Sequence, residues 1–372
     1  MHPRTPVRLL ALAIAALALP PSLAAQDGAE ADTVSPCPVE HRSIDLPARG
    51  YGLSIGNSAR HVGVRINAVD RCVERVTGLN LTLWRPRHNP DFVMNGVAVG
   101  LLAPGVGDLN GIGVGGLAVV ADGEITGVAA GGLAVVADGD VHGVALGGLA
   151  AVAQGRLDGI GVGGLAMVGD RGINGIGLGG LATVAEGDVN GLASGGLASI
   201  IEGDLTGISV GGLASILDGS MTGISVGGLA TIAEGSVTGV SVGGLATIVE
   251  GPVRGITLGG LGVVVDGRID GIQVGGLGVV VDGRARGLTV GGVGIVADGV
   301  DGIALAGFRT RVEAMNGVGI AGWNDVRGRQ RGLSIGIFNY ARTLSGVQIG
   351  LINHVRDNPP GRRILPLVNW GS

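Results

Sequence analysis

The chain has 372 residues, 77 of them glycine, against three Phe, three Trp and two Tyr, and this excludes an ordinary globular core built on large rings. No Gly-X-Y period accompanies the glycine, so collagen is excluded too. A formal net charge of -5, with no arginine cluster interleaved with aromatics, gives no electrostatic argument for nucleic acid as a partner.

Residues 1–25 set Arg4 and Arg8 ahead of the apolar run LLALAIAALALP and end on the small residues Ser22, Ala24 and Ala25. That is the layout of a secretory signal peptide, too short for a convincing membrane span. No cysteine lies at the cleavage region, so a bacterial lipoprotein anchor is not expected. The expectation is export to the bacterial periplasm, the outer-membrane surface or the medium. Disulfides persist there, and the chain's two cysteines, Cys37 and Cys72, are its disulfide candidate, with two free thiols as the alternative. Without a CxxC pair the bond would be a structural staple. Residues 26–45 are polar and acidic with two prolines and are expected to form a linker pinned at Cys37.

From Tyr51 a glycine followed by aliphatic, polar, aliphatic alternation recurs in YGLSIGN, HVGVRIN, TGLNLTLW and NGVAVGL. Residues 46–110 are expected to form an N-terminal cap of degenerate repeats, interrupted by a loop over Trp84–Phe92 with its two prolines. From 111 to 301 one sixteen-residue unit repeats twelve times, opening at Gly111 and every sixteenth residue to Gly287. The copy from Gly223 reads GISVGGLATIAEGSVT. Counting the opening glycine as position one, aliphatics stand at two, four and ten, Gly-Gly-Leu at five to seven, and an acidic residue and glycine at twelve and thirteen.

Such a period marks a repeat architecture in which each unit buries its apolar face against its neighbours. Four glycines per unit would each cost a helix roughly 1 kcal/mol relative to Ala, so short strands are expected. Corners are expected at the opening glycine, at Gly-Gly and at Asp-Gly or Glu-Gly, where glycine accepts positive φ. Successive units then stack in register as a parallel β-solenoid. Every leucine at position seven, from Leu117 to Leu277 and followed by Val293, is expected to form one buried column.

The rival architecture is an outer-membrane β-barrel acting as a pore or anchor, because positions two to eleven match a tilted membrane strand in length. Against it stand the absence of any aromatic from 111 to 301, the identical junctions and the glycine pair in mid-strand. Residues 302–372, where the spacing shortens and aromatics return, are expected to form a C-terminal cap. There Asn339, Asn353 and Asn369 are expected to stack as a hydrogen-bonded column.

Position twelve is acidic in eleven of the twelve units, from Asp122 to Asp298, with Gln154 the exception. Stacked carboxylates about 5 Å apart repel by roughly 1 kcal/mol even in water. The bland reading is a row of solvated turn residues, and the sharper one is calcium, although the GGxGxD nonapeptide of calcium-binding rolls is absent. No other cofactor is suggested. The hydroxyl residues at positions three and nine in the middle of the array would, if they faced outward, offer a lattice to ice or a repetitive polysaccharide. His41, His61, His88, His142 and His354 show no paired metal spacing, and no nucleophile stands in a non-repeating context, so enzymatic activity is not expected.

The stretches VERVTGLNLTLW (73–84), the VGGLA units, RGLSIGIFNYA (331–341) and GVQIGLINHVRDNPPGRRILPLVNW (346–370) resemble a family of bacterial exported surface-repeat proteins of unknown function. The resemblance implies export and a repeat fold, and carries no activity or site residues. The function expected from the sequence is therefore an exported, non-enzymatic structural or adhesive surface element whose partner, a cell-surface polymer or another protein, is left open.

Overall fold

The computed structural model describes residues 42–84 and 89–371. The expected signal peptide, most of the expected linker and Cys37 lie outside these residues. One coil, followed from Met221, consists of a long strand Met221–Gly227, a bend at Gly228 and Leu229, a short strand Ala230–Ala233, and a bend at Glu234 and Gly235 leading to the next long strand, Val237–Gly243. Each strand pairs in parallel with the strand sixteen residues on, Ser225 opposite Ser241 and Thr231 opposite Thr247. Long strands thus pair with long and short with short. The fold is a parallel β-solenoid, and the barrel is overturned, because a barrel would pair consecutive strands antiparallel.

Two expectations about the coil are corrected. The opening glycine is no corner: Gly223 is the third residue of the long strand, with φ +137°. A Cβ there would lie 2.9 Å from the carbonyl carbon of Gly207, one coil back, so close stacking of backbones excludes a side chain. Among the position-thirteen glycines, where positive φ was expected, Gly267 and Gly283 adopt it at +147° and Gly235 does not.

The second correction reverses inside and outside. Leu229 is 46% exposed and every other leucine of its column is likewise exposed, whereas Ser225 and Thr231 are fully buried. Alternation along the long strand sends positions fifteen, one, three and five inward, and the short strand sends nine and eleven. Leucine at seven sits in the bend and belongs to neither inner face.

Side-chain volume decides this phase. At the Gly-Gly-Leu end the facing strands approach so closely that a Cβ on Gly227 would fall 2.5 Å from the carbonyl carbon of Ala230. Gly, Ala, Ser and Thr fit there, and the aliphatics of positions two, four and ten are left for the outer faces. Facing positions compensate in size: Gly161 opposes Met167, whose Cε would lie 2.5 Å from an added Cβ. Farther from this end the coil widens, and Met221, Val237 and Val249 fill it.

Contacts divide the chain into two compact units between Ile200 and Ile201. The first begins with a hairpin in which Ser43–Ala48 runs antiparallel to Tyr51–Gly56, so residues 43–45 of the expected linker are strand. Degenerate coils follow in parallel through Arg60–Asn67, Arg75–Thr82, Val93–Gly100 and Asp108–Gly115. In the second unit the short and long strands later merge, as in Gly278–Gly291 and Phe338–Val355. Ile364–Gly371 then turns back antiparallel on the last coil.

Candidate functional surface

The hydroxyl residues at positions three and nine face each other inside the coil and offer no lattice to solvent. Ser209 and Ser215 meet at 2.7 Å, and Ser225 donates to Ser215 at 2.9 Å. Threonine at nine stitches the Gly-Gly-Leu bend: Thr231 Oγ1 donates to the carbonyl of Val242 at 2.7 Å and Thr247 to that of Leu258 at 2.6 Å. Asparagine takes over this task in the last coils. Asn324 Nδ2 donates to the Ile335 carbonyl at 2.9 Å and Asn339 Nδ2 to the Ile349 carbonyl at 3.0 Å, from the same position of the coil.

The expected asparagine column exists in altered membership. Asn324, Asn339 and Asn353 are buried and linked amide to amide at 2.8 Å per step. Asn369 lies instead on the antiparallel last strand and donates to the main-chain oxygens of Asn353 and Arg362.

A polar cluster in the first unit was not anticipated. Arg65 and Asp70 are fully buried and form an ion pair. Arg65 also donates to Ser58 at 3.2 Å, Asn80 at 2.8 Å and Asn57 at 2.9 Å, while Asp70 accepts from Thr82 at 2.5 Å, Asn67 at 3.2 Å and Asn80 at 3.3 Å. Every nitrogen and oxygen of the two charged groups thus has a partner inside the protein, and the cluster acts as a structural plug. Its sequence signal was present: Arg65 stands at position three, where the array places small inward residues. Cys72 is not a free thiol.

The acidic positions line the bend opposite Gly-Gly-Leu. Burial, and then the neighbouring Glu186, raise the Asp170 carboxyl above its usual range. Burial alone raises Asp218. Gln154, the exception in the column, donates to Asp138 at 2.8 Å. Asp301 moves the other way: the Asn316 amide at 2.6 Å, then Arg284 at 3.1 Å, hold its carboxyl below the usual range. Among the described residues no three His, Cys, Asp or Glu side chains converge so as to hold a metal ion.

The most distinctive surface is the bend at Gly-Gly-Leu in the second unit. Leu213, Leu229, Leu245, Leu261 and Leu277 project from it in successive coils, all at least 46% exposed. Isoleucines of position two, such as Ile224 and Ile256, are exposed on one flank, and Ile248, Val264 and Val280 of position ten on the other. From Gly207 to Phe308, positions two to eleven contain no ionisable residue, and every Asp, Glu and Arg lies between positions twelve and sixteen. In the last coils Ile337 and Leu351 border an apolar depression of about 600 Å³ lined also by Ile320, Ile335 and Ile349. No helix among the described residues is long and apolar enough to cross a membrane. Compared with family models, with curated proteins and with solved structures, the chain matches none.

Proposed function

We propose that the chain is an exported, non-enzymatic repeat protein that serves as a structural or adhesive surface element, with the Gly-Gly-Leu bends of its second unit as the adhesive edge. The segregation of charge carries this reading. Between Gly207 and Phe308, fifteen leucines, isoleucines and valines on the order of half exposed leave on the order of 1,000 Å² of apolar surface bare. Monomeric soluble proteins rarely expose patches beyond a few hundred Å², so a larger one marks a surface with a partner. The N-terminal sequence and the resemblance to exported surface-repeat proteins support export. In an oxidising compartment a Cys37–Cys72 disulfide would staple the N-terminal segment to the first coils. The interior is closely packed with apolar and small polar side chains, which favours a scaffold over a catalyst.

The test is retention of the purified chain on octyl-substituted against hydroxylated agarose. Retention on octyl alone, lost in Leu229→Glu/Leu245→Glu/Leu261→Glu with the far-UV strand signal unchanged, is the expected result. Equal passage through both matrices would remove the adhesive edge.

A further inference from the structure

We infer that the partner of the apolar edge is a lipid surface, into which the Gly-Gly-Leu bends of the second unit insert as a wedge. This rests on the adhesive reading above and assigns its occupant. The shape of the patch favours lipid. Apolar side chains cover the bend itself at Leu229 and Leu245 and continue onto both outer faces of the coil, at Ile224 on the long strand and Ile248 on the short one. The patch is therefore convex. An identical convex edge from a second copy would cover the bends and leave both flanks in water. A fluid hydrocarbon layer closes over bend and flanks together.

Most of the bend's N–H groups are already paired inside the protein, as hydrocarbon requires of polar main-chain groups. Within the bend, Leu245 N–H donates to the Leu229 carbonyl at 2.7 Å and Leu261 N–H to the Leu245 carbonyl at 2.7 Å, with Gly244 and Gly260 bonded one coil back in the same way. The position-nine threonines point their hydroxyls inward to the carbonyls of Val242 and Leu258. Small polar side chains inside and bare aliphatics outside is the partition expected of a protein surface solvated by lipid rather than by water.

Charged residues from Asp218 to Asp301 lie away from the bend and remain in water. The geometry is that of a protein lying on one leaflet, its apolar face buried about 5–10 Å, and not of one spanning the bilayer.

Flotation of the full chain with phosphatidylcholine vesicles on a density gradient tests this. The zwitterionic lipid removes simple charge attraction as a cause. The wild-type chain floats with vesicles, and Leu229→Glu/Leu245→Glu/Leu261→Glu lowers the partition coefficient about a hundredfold, since each replaced leucine withdraws roughly half a side chain of burial. Asp218→Asn/Glu234→Gln/Glu250→Gln, on the opposite bend, floats as the wild type does. Leu245→Ser alone, giving about a tenfold or smaller loss, serves if the triple variant loses its strand signal. Wild type that stays at the bottom of the gradient overturns the lipid assignment. If that chain still binds octyl-agarose and sediments as a dimer that the leucine triple dissociates, the edge is adhesive and its partner is a second copy. Failure on octyl-agarose as well removes both readings.

Discussion

Exchanging a carboxylate into Leu229 or Thr231, two residues apart in one coil, separates the two sides of the solenoid wall. Leu229 is 46% exposed, so Leu229→Asp forfeits about half a leucine's burial, about 1 kcal/mol, and leaves the new carboxylate in water. Thr231 is fully buried and its hydroxyl already bonds Val242. Thr231→Asp places an unpaired carboxylate in the dry interior and costs about 4 kcal/mol. Thr231→Val keeps the shape and loses only the bond, about 1 kcal/mol. A repeat array need not unfold in one step, so the measurement is native-state hydrogen exchange at the amides of coils 207–249, backed by far-UV circular dichroism. Protection is expected to fall less than tenfold in Leu229→Asp and about a thousandfold in Thr231→Asp. Equal losses, or a greater loss in Leu229→Asp, would refute the assignment of small residues to the interior and leucine to the surface.

Three further outcomes are expected. Gly239→Ala, at φ +130° with its new Cβ 2.9 Å from the carbonyl carbon of Gly223, should lower the denaturation midpoint by far more than the roughly 1 kcal/mol of an ordinary strand substitution, and a neutral result would contradict the close stacking. Arg65→Met strands Asp70 inside the first unit and should cost about 3–5 kcal/mol in urea titration, while Arg65→Met/Asp70→Leu should recover part of that loss; additive losses would show the pair to be uncoupled. Acid titration should separate Asp170 from Asp301. The raised Asp170 carboxyl favours folding while protonated and opposes it as pH rises, so Asp170→Asn should melt above wild type at pH 7 and converge with it below the carboxylate range. The lowered Asp301 carboxyl stabilises above its ordinary range, so Asp301→Asn should melt below wild type at pH 7, with the gap closing as pH falls through the folded value. The same sign for both variants would contradict the two environments.

Much of the candidate surface was visible in the sequence as composition and hidden as direction. The uncharged run from position two to eleven can be read off all twelve units, but its outward direction cannot, because a leucine column is ordinarily expected inside. Arg65 was visible as a charge at an otherwise small position, whereas its partner Asp70 comes from a connection whose path no periodicity predicts. Asn324 shares the task of Thr231 although neither type nor spacing links them, because the coil there is one residue shorter.

By itself the sequence determined the repeat, its sixteen-residue register and the parallel stacking, because a strict period with four glycines per unit can satisfy its backbone only by laddering each strand onto its copy in the next coil. It also determined that the ends depart from the period. The phase of the alternation was decided only in three dimensions. A strand of alternating small and large residues can bury either set, and the choice falls to the distance between facing strands, which at Gly227 and Ala230 leaves no room for a Cβ. Close packing of two backbones put serine and threonine inside and left the leucines bare.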